Sequence, residues 1–451
     1  MLKLLPILAS FGVCASACSS LPRTSTCPVQ SVKRMPGVSH EAQRLEFWMQ
    51  RLGEDANRVL LSPLDIHALN AGNGQRPWAF QDVTSDEVAD RDRIAKELHE
   101  RRVWVAERIS SGRYLDHESR VMNEALAVAS QARAIDEFRI LTRRTDLRCL
   151  PSRHAMRSRT SSPTFDRNQC SGLAPGHLVR ALLRSGRWTY VHAAHSVGWV
   201  VEPEWTPPMS REAARAFRDS TPRVVFTQRT SPENKAARAR ELGENYPLLH
   251  HADDDPQVPR YRQPTDIGLE NRAVENARGV QKGWLPFTRA NLLRLAFGEL
   301  GREYGWGESG GGTDCSRLVF DIFKAFGIML GRHSSEQARS GTSVIETAKV
   351  SGEAKRATIR EASSRGVVLL YMPGHIMLYL GTHQGRDYAL SAIYDYPSVC
   401  SHGMGENRTH IGSVVVSDLQ VGSGTRVGSF LDRISRISVF GGTPGPLADP
   451  K

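Results

Sequence analysis

The chain has 451 residues, of which 40% are hydrophobic and 24% charged, and it carries a formal net charge of +11. This length predicts three or four domains rather than one. The excess of Lys and Arg favours a polyanionic partner. Nucleic acid is not the expected partner, because the sequence shows no recognition helix, zinc-ligand spacing or interleaved aromatic and basic patch.

Residues 1–17 predict an export signal. Lys3 precedes an apolar run that is too short for a stable transmembrane span, and the small residues Ala15–Ala17 follow it. Cys18 comes next and resembles a bacterial lipoprotein cleavage site, where the mature N-terminal cysteine carries lipid; ordinary signal cleavage is the alternative. Ser19 after that cysteine resembles outer-membrane sorting. We expect an exported protein, lipid-anchored through Cys18 in the outer membrane and facing the periplasm.

The next two segments differ in composition. Residues 18–38 are rich in Ser, Thr and Pro and predict a tether. Residues 39–143 carry charged and apolar residues at helical spacing, as in 41–52 and 87–109, and predict a helical N-terminal domain. This segment holds no catalytic constellation, so we expect it to pack against the other domains.

From 144 the pattern changes to short alternating strands. Residues 144–207 contain a Gly-x-Trp strand and a terminal Gly198-Trp199-Val200, and they resemble a bacterial SH3-type barrel. Residues 208–283 predict a second, more degenerate barrel. In an oxidising compartment Cys149 and Cys170 could form a bridge within the first barrel, although spacing alone leaves this pairing open. No cysteines have paired metal-ligand spacing, so we expect no structural metal.

The most informative feature is Cys315. A glycine-rich run, Gly310–Gly312, leads into Asp314, Cys315 and Ser316, and helical periodicity follows. A thiol in the first turn of a helix experiences the positive end of the helix dipole, which favours the nucleophilic thiolate. The alternative is a buried cysteine that packs as a small hydrophobe. The glycine-rich entry and polar neighbours favour the nucleophile.

A thiol nucleophile requires a base, and His375 is the candidate. Residues 367–372 form a short apolar strand, Pro373-Gly374 predicts a turn, and a second strand opens with His375. A histidine beside such a turn can reach a helix N-terminus across the sheet edge. The order of helix followed by sheet is that of papain-like thiol enzymes.

These motifs carry a family resemblance. Residues 304–307, 314–316, 331–338 and 372–379 resemble NlpC-type cysteine peptidases, papain-like endopeptidases that cut the stem peptides of bacterial peptidoglycan. The resemblance covers nearly all of the chain after the leader, and it is closest to multidomain members with a helical N-terminal domain and two SH3-type barrels. It implies an α+β peptidase domain over 284–443, no cofactor, and cleavage of the γ-D-glutamyl–diamino acid bond in stem peptides or muropeptides.

The resemblance also implies roles for individual residues. Cys315 is the nucleophile and His375 the base. The positions that line the substrate are Tyr304, Asp314, Ser316 and Ser334. The third catalytic position, usually a histidine, aligns with Ser391, whose hydroxyl can accept a hydrogen bond from the imidazole but stabilises its cation less than a carboxylate would. The alternative is therefore a catalytically weak or inactive wall-binding lipoprotein that retains the peptidase fold.

Overall fold

The structure, a computed structural model, describes residues 30–74, 80–159, 164–230, 239–249, 260–273, 279–400 and 405–442. The predicted export signal 1–17 and Cys18 lie outside these ranges, as does most of the tether 18–38. Within the described ranges, no helix has the length and apolar character needed to cross a bilayer.

The helices and strands of the described residues are numbered in chain order. The α-helices are α1 (Leu45–Leu52), α2 (Pro63–Gly74), α3 (Arg91–Ser110), α4 (Asp116–Ser130), α5 (Arg211–Asp219), α6 (Arg289–Gly298), α7 (Cys315–Lys324), α8 (Ser334–Gln337), α9 (Gly352–Arg365) and α10 (Phe430–Arg433). The β-strands are β1 (Gln30–Ser31), β2 (Val59–Leu61), β3 (Arg133–Ile140), β4 (Thr145–Arg148), β5 (Gln169–Leu173), β6 (Leu178–Ser185), β7 (Trp188–Ala193), β8 (Ser196–Val201), β9 (Arg223–Phe226), β10 (Asn245–Pro247), β11 (Arg260–Thr265), β12 (Gly268–Ala273), β13 (Val280–Lys282), β14 (Phe287–Thr288), β15 (Ser343–Glu346), β16 (Val367–Met372), β17 (His375–His383), β18 (Arg386–Val399), β19 (Glu406–Asp418) and β20 (Arg436–Phe440).

A seven-stranded sheet in the order β1-β19-β18-β17-β16-β20-β15 organises the C-terminal domain. Every residue of β16 is buried, and Gly374, with a φ of 84°, turns the chain so that Met372 pairs with His375 on β17. The predicted strand, Pro-Gly turn and second strand are thereby confirmed. The apolar face of α7 packs against β17 and β18 in the same core. This packing brings the helix N-terminus next to the start of β17.

The N-terminal helices contribute to three separate cores. The sequence predicts one helical domain over 39–143, but Trp48 of α1 and Leu69 of α2 pack into the core of the C-terminal sheet. Ile94 of α3 packs instead on β7 and β8. Val105 of α3 packs with Met122 and Ala125 of α4 in a third cluster, so α3 and α4 share a core that α1 and α2 do not join. The strand β1 also joins the C-terminal sheet, pairing in parallel with β19.

The segment 133–201 forms a six-stranded sheet in the order β3-β6-β7-β8-β4-β5. Its first strand, β3, lies before the predicted boundary at 144. The apolar residues of β3 alternate and the strand pairs with β6, so it belongs to this sheet. A disulfide joins Cys149 to Cys170, which decides the pairing that spacing left open. The prediction that this segment is an SH3-type barrel stays a prediction.

The segment 208–283 opens with a helix, α5, whereas the sequence predicts a second barrel made of strands. A three-stranded sheet, β10-β9-β13, and the hairpin β11–β12 follow. Phe217 of α5 packs with Phe226, Tyr246 and Tyr261 in a small core that also includes Ile140 of β3. This core therefore connects the segment to the six-stranded sheet.

We expect Trp48→Ala to reduce the free energy of unfolding by about 3–5 kcal/mol, the usual cost of deleting a large buried aromatic side chain. Trp48 is 2% exposed, its ring lies over Gly381 of β17, and its indole N–H donates to the Ala42 carbonyl at 2.8 Å. Urea unfolding checks this.

Leu64→Ala serves as the control, because Leu64 is 81% exposed and its loss should cost less than about 0.5 kcal/mol. Equal stability of the two variants would show that α1 does not brace the C-terminal sheet.

Candidate active site

Cys315 is the first residue of α7, and Asp314 is its N-cap. The Asp314 carboxylate accepts a hydrogen bond from the backbone N–H of Arg317 at 2.8 Å, which satisfies one of the amide donors that the helix start leaves without a partner. The apolar positions that follow are buried, so the predicted helical period is confirmed. Cys315 is 8% exposed and is a free cysteine, the only one among the described residues. The helix therefore fixes the thiol at a defined point of the fold.

His375 opens β17 beside this thiol. Its Nε2 lies 3.1 Å from Ser391 Oγ on the neighbouring strand β18. The backbone N–H of Ile376, the residue after His375, lies near enough to the Cys315 sulfur to act to lower the pKa of that thiol. The structure thus places the predicted nucleophile at the start of α7, and the predicted base and third position on the neighbouring strands β17 and β18. Phe430 of α10 covers the imidazole, with a ring separation of 6.0 Å.

The protonation state of this site differs from the predicted thiolate. Burial and the neighbouring Asp314 raise the pKa of Cys315 to about 12, although the Ile376 and Ser316 amides and Arg332 act in the opposite direction. Burial, together with Arg433, lowers the pKa of His375 to about 3. A helix terminus typically contributes about 0.3–1 kcal/mol, whereas full burial can shift a pKa by about 3–5 units. The effect of burial on the two pKa values therefore outweighs that of the helix dipole, and the resting site holds a neutral thiol and a neutral imidazole.

Asp314 and Ser316 are predicted to line the substrate, and the structure places both inside a buried hydrogen-bond network. Arg332 donates to the two oxygens of Asp314 at 3.1 and 2.7 Å, and to Ser316 Oγ at 2.8 Å. Ser316 Oγ in turn donates to Asp314 Oδ1 at 3.0 Å. Burial raises the pKa of Asp314, but Arg332 more than offsets this, and the net shift is downward. These groups stabilise the start of α7.

Glu308 is a central site residue that the sequence reasoning missed. It is 1% exposed and adopts a φ of 69° within the glycine-rich turn before Cys315. Its carboxylate pairs with Arg317 at 2.8 Å and with Arg144 at 3.1 Å, and it accepts the Gly172 backbone N–H at 2.9 Å. Burial alone would raise the pKa of Glu308, but the surrounding arginines lower it to about 2. The signal in the sequence that could have identified Glu308 is a single acidic residue within a glycine-rich segment.

This carboxylate connects two units of the chain. Arg144 and Gly172 belong to the segment that contains the six-stranded sheet, whereas Glu308 and Arg317 flank the thiol. The Gln169 side-chain amide also donates to the Gly307 carbonyl at 3.0 Å. Strand β5 is therefore attached to the turn that leads into α7.

Tyr304 lies in an aromatic group beside the site. Its ring is 5.6 Å from Tyr394 and 6.2 Å from Phe165. Phe165 also contacts Trp306 and Tyr394 edge-on, each at 5.1 Å. Tyr304 packs against the core that contains Cys315. Ser334, the last predicted lining position, is the first residue of the short helix α8 and is partly buried.

The C-terminal domain matches a known family. Residues 301–392 match the model of the NlpC/P60 family, so this domain is an NlpC/P60 peptidase domain, and proteins of this family are cysteine peptidases or hydrolases. The matched range includes Cys315, His375 and Ser391.

A curated protein and two solved structures are similar to the chain. Peptidoglycan endopeptidase RipA of Mycobacterium tuberculosis is 29% identical over 140 residues, which span 27% of this chain and 27% of RipA. The structure of an NlpC/P60 endopeptidase from Photobacterium damselae subsp. piscicida superposes with a TM-score of 0.68 at 15% identity, covering 93% of this chain and all of that one. An NlpC/P60 family protein from Bacillus cereus has a TM-score of 0.45 at 14% identity, with 68% and 100% covered. The Photobacterium likeness shows a shared fold over most of the chain.

We expect Glu308→Gln to reduce the free energy of unfolding at pH 7 by about 3–5 kcal/mol, because it leaves buried arginines without their counter-charge. The folded pKa of Glu308 is depressed to about 2. Its contribution is therefore present above about pH 4.3, the unfolded value, and is lost as the pH falls towards 2. Urea unfolding at several pH values should show the variant and the wild type converging in acid.

Glu270→Gln is the matched control, since Glu270 pairs with Arg272 at a surface where both side chains are partly exposed, at 34% and 55%. It should change stability by less than about 1 kcal/mol. A Glu308→Gln protein as stable as this control would contradict the proposed importance of the network.

We expect Cys315 to react with iodoacetamide at pH 7 more slowly than a free cysteine does, because only the thiolate reacts and burial raises the pKa of this thiol to about 12. Its alkylation rate should still be rising above pH 9, where a free cysteine with a pKa of about 8.5 approaches its plateau. Mass mapping of the peptide that contains residue 315 measures this rate, with Cys315→Ala as the blank. A rate that is already maximal at pH 7 would mean a preformed thiolate.

Proposed function

We propose that the protein is a cysteine-dependent endopeptidase of bacterial peptidoglycan stem peptides that needs no cofactor and cleaves the γ-D-glutamyl–diamino acid bond. One observation carries the proposal: His375, whose ring Nε2 lies 3.1 Å from Ser391 Oγ, directly precedes Ile376, the residue whose amide acts to lower the pKa of the Cys315 thiol at the start of α7. The NlpC/P60 match of residues 301–392 and the name of the similar RipA support the substrate class.

Ser391 determines which nitrogen of His375 acts. When the Ser391 hydroxyl accepts the Nε2–H, the lone pair of the neutral ring lies on Nδ1, and that nitrogen takes the proton. His375 removes the thiol proton as the sulfur attacks the peptide carbonyl, so no resting thiolate is required. The amides at the start of α7 stabilise the oxyanion. His375 then protonates the leaving amine and activates the water that hydrolyses the acyl-enzyme.

The proposal includes a location. We infer export by residues 1–17 and a lipid anchor at Cys18 that holds the protein in the outer membrane, facing the periplasm. The disulfide between Cys149 and Cys170 supports an oxidising compartment, since such bonds are rare in the cytosol.

The second candidate function is a catalytically weak or inactive wall-binding lipoprotein. The Ser391 hydroxyl favours it, because a neutral partner stabilises a forming imidazolium less than a carboxylate would, and burial already lowers the pKa of His375 to about 3. Slow alkylation cannot separate the two candidates, because both contain a protonated thiol. Product formation can.

The experiment uses the tripeptide stem of peptidoglycan and follows its products by mass spectrometry. We expect the wild type to release the diamino acid, and Cys315→Ala to reduce turnover by more than about 1,000-fold, because the nucleophile is lost. Leu64→Ala, at an exposed position far from the thiol in sequence, should keep full turnover. Unchanged turnover in Cys315→Ala would reject the proposal, and binding of the peptide without cleavage by the wild type would establish the second candidate.

A further inference from the structure

One side of α7 is covered by the unit that contains the six-stranded sheet. Arg317, Phe320 and Lys324 lie at positions i, i+3 and i+7 of the helix, so they share one face. The Arg317 guanidinium donates to the Gly172 carbonyl at 3.1 Å, and the rings of Phe320 and His195 lie 4.8 Å apart. This face of α7 is therefore the contact between the helix that carries the thiol and the neighbouring unit.

A lysine and two histidines lie in this contact. Lys324 Nζ lies 2.8 Å from His177 Nε2, and the centres of the His177 and His195 rings are 5.1 Å apart. His177 Nδ1 and His195 Nε2 are buried, and neither has a hydrogen-bond partner among the residues that the structure describes. An imidazolium formed here would be unfavourable, because a cation withdrawn from water needs hydrogen bonds or a counter-charge.

The charged groups around the two rings also disfavour an added proton. Burial, followed by Lys324, lowers the pKa of His177 well below its ordinary value, and burial, followed by Arg317, does the same for His195. An added proton is therefore repelled from several sides. The other groups that face the pair from the surrounding elements are Arg144, Arg332 and His333.

Lys324 brings a positive charge into this contact. Burial and Arg317 lower its pKa to about 8, so the ammonium form still predominates at neutral pH. A proton on His177 would thus place two positive charges 2.8 Å apart. The remaining charged groups that face the ammonium are Arg223, which repels it, and Asp321 and Glu244, which attract it.

We propose that this face of α7 is a proton-sensitive interface, which weakens as the pH falls through the range in which histidine titrates. Opening the contact exposes both imidazoles to water, where each takes up a proton, and it separates His177 from the ammonium of Lys324. Because Cys315 is the first residue of the same helix, acid loosens the packing beside the thiol. The inference does not rest on the proposed reaction, since it concerns the packing of two units.

Proton linkage fixes the direction of this effect. The pKa of each histidine in the closed contact lies below the value of about 6.5 that it has in water. The open state therefore binds more protons, and between pH 7 and pH 5 each histidine favours it by up to about 25-fold. The Glu308 carboxylate acts in a different range, below about pH 4.3.

Hydrogen exchange of the full-length protein, followed by mass spectrometry, tests the proposal. The protection factors of amides in residues 169–178 should fall between pH 7 and pH 5, and the fall should be at least about tenfold larger in the wild type than in His177→Gln. The glutamine still accepts a hydrogen bond from Lys324 but does not titrate. His375 contributes equally to both proteins, so the comparison removes its effect.

The matched control is His117→Gln, at an exposed position of α4, which should show the pH dependence of the wild type. Lys324→Met removes the ammonium but keeps much of the side-chain length, so its protection should fall less with acid. An equal pH dependence in the wild type and His177→Gln would overturn the proposal, and an unchanged dependence in Lys324→Met would refute the role of the ammonium.

A measurement on the wild type alone decides the question should His177→Gln fail to fold. Acid should then reduce protection more in residues 169–178 than in β20, which lies in the C-terminal sheet. Equal loss in the two segments would overturn the proposal.

Discussion

The structure around the thiol depends on a buried ion network whose centre is Glu308. The backbone of Glu308 has a φ of 69°. Its carboxylate pairs both with Arg144, in the segment that contains the six-stranded sheet, and with Arg317 of α7. A second buried cation, Arg332, connects this network to Asp314, the N-cap of the helix. Removing one member of this network would leave an uncompensated charge in a low-dielectric interior, which is energetically unfavourable. The network therefore stabilises the turn before Cys315. The thiol is therefore positioned from both sides of a boundary between units.

The same burial governs the chemistry of the site. Withdrawal from water raises the pKa of Cys315 to about 12 and lowers that of His375 to about 3, so the charged form of each group is disfavoured. Ser391 adds a neutral hydrogen bond and no counter-charge. The resting site therefore contains no reactive thiolate. In the proposed mechanism, charge separation would coincide with attack on the substrate, and the resting thiol would be protected from unrelated electrophiles.

The local arrangement of the site was predictable, because short-range patterns encode it. Helical periodicity after Cys315 and the Pro-Gly turn before His375 locate both residues on their elements. The family resemblance assigned Ser391 to the third position, and its hydroxyl lies 3.1 Å from the imidazole. The charge network was not predictable, since Arg144 and Glu308 are 164 residues apart and no pattern links them. The division of the N-terminal helices also escaped prediction, because an amphipathic stripe does not specify which sheet will cover it. The sequence predicts a lowered thiol pKa, whereas burial raises it. The reason is related, because the burial of a side chain depends on tertiary packing.

The parallel pairing of β1 with β19 has a mechanical consequence if Cys18 carries lipid. Gln30 pairs with Thr409 at the edge of the C-terminal sheet, and eleven residues lie between Gln30 and Cys18. A fully stretched chain over the twelve steps from Cys18 to Gln30 covers at most about 43 Å. The tether would therefore be attached directly to the peptidase domain and not to another unit of the chain. Such a short tether would confine the proposed hydrolysis to the layer of wall nearest the bilayer.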